Sequence, residues 1–207
     1  MPFRYLGAPN DGPLLQGELI GPVVEYRPLD PPIDLPEGET TVPIRFVPVV
    51  HDLMVVMTAL CDLEQDFKRR VAIATEHEGR ANPEAGEAPI PQFPDHPHLV
   101  PHVLLCDAFE RSKVRPRFQS STLWEQVGEN HDDRYHHLLA SGIGIGDDTP
   151  IAEVYLDFKK SLAIPTELLY EGIRRRQIRR LRVIPDVYLH NLIHRYYSFL
   201  SRIGLPD

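Results

Sequence analysis

Cysteine is scarce in this chain of 207 residues, which contains only Cys61 and Cys106. Two cysteines in apolar, strand-like segments are too few for the disulfide framework of a small secreted domain. The N-terminal residues also lack the basic segment and apolar run that are typical of a secretion signal. We therefore expect a cytoplasmic protein in a reducing compartment.

The sequence also lacks a long apolar run and an excess of positive charge. No stretch approaches the roughly 20 apolar residues that cross a bilayer, so we expect no membrane partner. The net charge of −8 argues against general affinity for nucleic acid. This charge is uneven, because residues 161–207 carry a net charge of +4 and the remaining residues carry −12. One local basic patch therefore remains as a contact for an anion or for RNA.

Proline is abundant, with 21 residues, and favours many short elements joined by ordered connections. Two apolar runs, VPIRFVPVV and LMVVMTAL, predict the central hairpin of a buried sheet between residues 42 and 60. Further strands are predicted over residues 14–26 and from His102, Arg134 and Glu153 onward. Residues 62–75 read either as a short helix or as a charged turn followed by a strand. Long loops are expected over residues 27–41 and 76–101.

The C-terminal part is predicted to be helical. Thr166 can cap a helix that runs to about Leu181, and Pro185 suits the first turn of a final helix. That final helix is expected to bury five residues at helical spacing: Leu189, Leu192, Ile193, Tyr196 and Leu200. We predict one domain over residues 1–207, β-rich over 14–158 and helical over 165–204. Its class is α+β, a small bent antiparallel β-barrel or sheet covered by two C-terminal helices.

A thiol and three carboxylates follow the most apolar strand, in Cys61-Asp62-Leu63-Glu64-Gln65-Asp66. We favour a small core-lining Cys61 with Asp62 capping the next turn, because the neighbouring carboxylates disfavour a thiolate. A metal or acid–base site and a catalytic thiol are the alternatives. In the catalytic interpretation, the strand end would act together with a histidine. The candidate catalytic residues are then Cys61, Asp62, Asp66 and His136.

Zinc would need about four nitrogen, sulfur or oxygen ligands. The candidates are Cys61, Cys106, His51, His102, His136 and His137, and none belongs to a CxxC pair. Strand alternation points His136 and His137 to opposite faces, so only one of them could join a cluster. We expect no metal and no other cofactor. The polar turn from His131 to His136 is interpreted as ordinary turn chemistry, with a cation site or a general base as the alternative.

Arginines near the C-terminus form the one strongly basic run. Their guanidinium groups could hold phosphate, but we favour a solvated helix face whose arginines pair with the acidic body. The candidate anion or nucleic-acid contacts are Arg174, Arg175, Arg176, Arg179 and Arg180. The glycine-rich segment GIGIG at residues 142–146 lacks the lysine of a phosphate loop and is read as a plain turn.

Several segments together resemble a group of bacterial hypothetical proteins that share a Cys-Asp strand end. They are CDLEQDF, HVLLCDAF, NHDDRYHHL, YLDFKKSLAIPTELLY and FLSRIGLP. The resemblance extends from Gly17 onward and implies a bacterial origin but no activity. The group has a Ser-Gln step before the Cys-Asp pair, where this chain has Thr58-Ala59-Leu60. A glycine-led strand, a long loop and an apolar strand also resemble the small barrels of PemK/MazF-type toxins.

Two classes of function follow from these patterns. The first is a bacterial regulatory or interaction protein without enzymatic activity, with a protein as its partner and RNA as a further contact. The second is a ribonuclease-like or metal-dependent hydrolase that uses the Cys61–Asp66 strand end together with His136. Convergence of those side chains in one cleft would favour the hydrolase.

Overall fold

The computed structural model describes residues 6–7, 12–29, 46–78, 97–139 and 153–203. Most of the two predicted loops over residues 27–41 and 76–101 lies outside these residues, and so does the glycine-rich segment at 142–146. Within these ranges the strands are β1 (Leu6–Gly7), β2 (Glu18–Gly21), β3 (Val23–Pro28), β4 (Phe46–His51), β5 (Met54–Val56), β6 (His102–Glu110), β7 (Tyr135–Leu138), β8 (Val154–Pro165) and β9 (Arg179–Val183). The helices are α1 (Leu60–Glu78), α2 (Arg111–Val114), α3 (Ser121–Gly128), α4 (Thr166–Arg174) and α5 (Asp186–Ile203).

Seven of the strands form one curled antiparallel sheet in the order β1-β9-β2-β5-β6-β8-β7. Its longest pairing joins β6 to β8, and β5 lies at the centre between β2 and β6. The predicted class, a bent antiparallel sheet with C-terminal helices in an α+β fold, is confirmed.

Helices cover the two faces of this sheet. On one face, α5 contributes Leu192 and Tyr196 to a core that includes Val55 and Leu156 of the sheet. On the opposite face, α1 and α4 pack through Leu63 and Leu169 against β5 and β6, whose side chains alternate between the two cores. The sheet is therefore buried on both sides, which explains why β5 is apolar at every position.

A third, smaller core lies at the β7 end of the sheet. Val114 of α2 and Val127 of α3 pack there against Tyr135 and Tyr155 of β7 and β8. Ser120 is the N-cap of α3 and accepts a hydrogen bond from the Leu123 amide.

The strands β3 and β4 form a separate two-stranded ribbon. Their register runs from Val23 opposite His51 to Pro28 opposite Phe46. The prediction that the two apolar runs form one central hairpin is therefore wrong. The second run supplies the central strand β5, but the first supplies β4, which pairs only with β3 among the described residues.

The C-terminal region departs from its helical prediction in two places. Helix α4 ends at Arg174, and the chain returns as strand β9 rather than continuing as a helix to Leu181. In α5, Leu192 and Tyr196 are buried as expected, but Phe199 takes the core position that was assigned to Leu200. The first difference arises from tertiary pairing, because β9 completes the sheet beside β2.

None of the helices in the described ranges combines the length and apolarity needed to cross a membrane.

Candidate functional site

The predicted catalytic residues do not come together. Cys61 lies exposed in the first turn of α1, where its Sγ is 3.5 Å from the Asp62 carboxylate, so its predicted place in the core is wrong. Asp66 is fully buried and binds Arg70 at 2.8 Å, and it also accepts the Val100 amide at 2.8 Å. These contacts give Asp66 a structural partner in α1 and another in the segment before β6.

His136 lies on the opposite face of the sheet from α1, where it stacks on Phe158 beneath α5. Burial, together with the smaller effects of the nearby Arg195 and His137, lowers its pKa to about 3. Its Nδ1 atom is buried without a hydrogen-bond partner in the described residues. The geometry therefore places His136 in the core and away from Cys61.

Candidate metal ligands are equally dispersed. Within the described ranges, no three His, Cys, Asp or Glu side chains converge in a way that could hold a metal ion. Cys106 is buried in the sheet while Cys61 is exposed, and both are free thiols. Burial also raises the pKa of the Cys106 thiol. In the polar turn, Asp132 accepts the amides of Arg134 and Tyr135, which is ordinary turn chemistry.

The arginine run divides into two groups. Arg174 and Arg175 both pair with Glu171 on the surface of α4. Arg180, which was expected to face outward, is buried in β9 and pairs with the fully buried Glu18, with Nη2 at 2.7 Å. This Arg180 side chain also donates to the carbonyls of residues 12 and 13. Arg176 and Arg179 are exposed and form no ion pair with a carboxylate of the described residues, so the five arginines do not form one basic face.

A cleft of about 180 Å³ lies where the β3–β4 ribbon meets the sheet. The ribbon lines it with Arg27, Val49 and His51, and the end of β6 lines it with Asp107 and Phe109. Lys113 of α2 and Lys160 of β8 complete its rim. We refer to this space as the ribbon cleft.

A histidine held between two carboxylates lies in the wall of the ribbon cleft. His51 Nδ1 is 3.0 Å from Asp107 Oδ1, and His51 Nε2 is 3.1 Å from Glu25 Oε2. Both His51 and Asp107 are buried, whereas Glu25 is partly open to solvent. These three residues connect β3, β4 and β6, so they fasten the ribbon to the sheet and form a hydrogen-bonded path for a proton.

The two carboxylates differ in their affinity for a proton. Burial raises the pKa of Asp107, and the hydrogen bond from His51 opposes part of that shift. The Arg27 guanidinium, which donates to Glu25 at 2.8 Å, lowers the pKa of Glu25. Asp107 therefore keeps a proton to higher pH than Glu25 does.

Lys160 reaches the ribbon cleft because β8 is irregular at this point. Across from β6, Cys106 pairs with Ser161 and Ala108 pairs with Leu156, so residues 157–160 bulge opposite Asp107. Two bonds of 2.6 Å from Arg134 to the fully buried Asp157 hold this bulge. Bulges commonly redirect a side chain beside a functional site.

The opposite face of the ribbon is apolar and exposed. Its cross-strand pairs are Val24 with Val50, Tyr26 with Pro48 and Pro28 with Phe46. Tyr26 is 66% exposed, Val50 is 59% exposed and Phe46 is 57% exposed. We call these six side chains the apolar ribbon face.

The sequence patterns did not reveal the contact between His51 and Asp107, and they did not reveal the apolar ribbon face. Asp107 interrupts the apolar strand HVLLCDAF, and a carboxylate buried in a strand requires a partner, which could have directed attention to His51. The alternation of β4 could have revealed the apolar ribbon face, because it places Phe46, Pro48 and Val50 on one side of the strand.

Comparisons of this chain with family models, with curated proteins and with solved structures found no match.

Proposed function

We propose that this protein is an interaction protein that binds a partner protein through the apolar ribbon face. The observation that carries the proposal is the exposure of six apolar side chains on one side of a ribbon whose other side is fastened to the sheet. Exposed contiguous apolar surface of this kind is typical of protein-binding sites.

The absence of charge on this face selects the kind of partner. All six side chains are Val, Tyr, Phe or Pro, although a quarter of the whole chain is charged. Such a surface offers nothing to a phosphate backbone, but it suits an apolar surface on another protein. Tyr26 and Phe46 are large, rigid side chains of the type that contribute most to binding energy in protein interfaces.

The face is small, because its six side chains compare with roughly 20–30 residues that each partner contributes to a standard interface. A contact of this size fits a reversible complex. The ribbon is also preorganised, since His51 fixes it to the sheet before any partner arrives.

The proposal is tested by site-specific cross-linking followed by affinity measurement. A photo-activatable phenylalanine analogue at Tyr26, introduced in cells of the source organism, should cross-link to one defined protein. The same analogue at Leu168 of α4, which is 62% exposed, serves as the control and should not give that product. A Tyr26 probe that cross-links to nothing, or only to a second copy of this chain, contradicts the proposal.

The partner identified in this way is then purified and its affinity measured. The double substitution Tyr26→Ser/Phe46→Ser should weaken binding at least about tenfold, because it removes two aromatic anchors. The double substitution Leu168→Ser/Val187→Ser removes apolar surface of similar exposure elsewhere and should leave the affinity unchanged. Equal affinity of both variants would contradict the proposal.

A further inference from the structure

The ribbon cleft contains charged groups that the proposed protein contact does not use. Arg27, Lys113 and Lys160 reach it from three separate elements, namely β3, α2 and the bulge in β8. Cationic side chains that converge on a concave surface from different parts of the chain are typical of an anion site.

These three cations differ in how far their charge is already balanced. Arg27 pairs with Glu25, and Lys113 pairs with Asp52 at 2.7 Å on the rim. Lys160 has no carboxylate within 4 Å of its Nζ atom among the described residues, and its ammonium lies 4.7 Å from the centre of the Phe109 ring. One ammonium in the ribbon cleft is therefore available to an anionic ligand.

The ribbon cleft also offers a hydrogen-bond acceptor. Asp107 uses Oδ1 to bind His51, while no side chain or amide in the described part of the chain donates to its Oδ2. A carboxylate oxygen of this kind accepts a hydrogen bond from a ligand hydroxyl. Since Asp107 and Lys160 both line the ribbon cleft, a ligand could bind the ammonium through an anionic group and the carboxylate through a hydroxyl.

We infer that the ribbon cleft binds a phosphorylated sugar, with the phosphate on Lys160 and a sugar hydroxyl on Asp107. A lysine ammonium is a common phosphate ligand, and Lys113 and Arg27 line the same cleft. A space of about 180 Å³ suits one small polar group rather than a large apolar ligand. The sugar phosphate is either a free small molecule or the 5′ end of an RNA.

Isothermal titration at low ionic strength tests this inference with three probes. They are ribose 5-phosphate, a short oligoribonucleotide with a 5′-phosphate, and the same oligoribonucleotide with a 5′-hydroxyl. Saturable binding of ribose 5-phosphate identifies a free sugar phosphate, and binding of the 5′-phosphorylated oligoribonucleotide alone identifies an RNA end. If none of the probes saturates, or if the two oligoribonucleotides bind equally, the inference is overturned.

Neighbouring lysines in the β8 bulge provide a matched pair of variants. Lys160→Met should weaken the observed binding about tenfold, because it removes a charge-assisted bond to the phosphate. Lys159→Met removes the same charge from an exposed side chain outside the ribbon cleft and should change the affinity less than twofold. Equal losses in the two variants would show attraction by general charge and would overturn the inference.

The substitution Asp107→Asn tests the proposed contact between Asp107 and the sugar hydroxyl. It should weaken ribose 5-phosphate binding, whereas inorganic phosphate, which has no sugar hydroxyl, should bind equally well or more tightly because a negative charge is removed from the cleft. Because Asp107 is buried against His51, circular dichroism must first show that this variant is folded. If it is unfolded, the comparison of Lys160→Met with Lys159→Met still decides the inference.

Discussion

The seven-stranded sheet and the β3–β4 ribbon differ in what covers them. Strands β4 and β5 are separated by only two residues, and both are rich in valine. Every side chain of β5 is buried between α5 on one face and α1 with α4 on the other. The β4 side chains alternate between exposed and partly buried until His51, because no described element lies over the apolar ribbon face. Apolar composition is thus compatible with a core strand and with a binding surface, and packing decides between them.

The largest expected effect comes from removing part of the cover over the sheet. Leu192 of α5 is fully buried, so Leu192→Ala should lower the free energy of unfolding by about 2–5 kcal/mol. Leu200→Ala on the same helix should cost less than about 1 kcal/mol, because that side chain already contacts solvent. Urea denaturation measures both values. Equal midpoints for the two variants would show that α5 does not cover the sheet through Leu192.

The same substitution in β5 and β4 compares the two regions directly. Val56→Ala should lower the free energy of unfolding by roughly 2–3 kcal/mol, since it removes two buried methyl groups and leaves a cavity. Val50→Ala should change it by no more than about 0.5 kcal/mol, because Val50 is exposed. A large loss of stability in Val50→Ala would mean that the ribbon face is covered, and this would also count against the proposed contact.

Gly21 joins the sheet to the ribbon, and its substitution should have an intermediate effect. A Cβ atom at this position would lie 2.2 Å from the carbonyl oxygen of Asp52, so the two chain segments could not keep their present distance. Gly21→Ala should cost roughly 1–3 kcal/mol in thermal or urea unfolding. Gly128→Ala is the control, since its Cβ would meet no atom within 4 Å and should be neutral or slightly stabilising.

The last comparison is a change in the pH dependence of stability, and it concerns His136 in the core of the sheet. His136 has a pKa lowered to about 3 by burial, while an unfolded histidine titrates near about 6.5. Between these values the unfolded chain binds the additional proton, so the folded state loses stability as the pH falls from 6.5 towards 3. This group contributes up to about 1.4 kcal/mol per pH unit in that window.

The variant His136→Phe removes this proton linkage, so its stability should fall less steeply with decreasing pH than that of the parent. The raised pKa of Asp107 acts in the opposite sense in both proteins, because its stabilising proton is lost as the pH rises. The difference between the two pH profiles therefore isolates His136. Parallel profiles from pH 6.5 to pH 4 would show that His136 is protonated in the folded protein.

Local pattern predicted much of the secondary structure. Strands β6, β7 and β8 and helix α5 lie where alternation or helical spacing placed them. Each of these elements depends on the side chains of its own segment, so the local sequence is enough to predict it. The C-terminal helices and the α+β class could be predicted for the same reason.

The candidate site could not be located in this way. His51 and Asp107 are 56 residues apart, and they meet because β5 carries the chain from the ribbon into the sheet beside β6. Lys160 reaches the same cleft only because three extra residues bulge from β8. Such convergence depends on strand order and register, which local periodicity does not specify.

Charge, composition and the spacing of apolar residues were sufficient to establish an α+β chain with an acidic body, a central apolar strand and a closing helix. Only the tertiary structure decided that β4 leaves the sheet, that Arg180 is buried against Glu18, and that Cys61 lies at the surface. The physical reason is that burial is a property of the space between elements. Two apolar side chains can therefore have similar neighbours in sequence and different surroundings in space. One is buried in a core when a helix covers it, and the other stays exposed and available to a partner when no helix does.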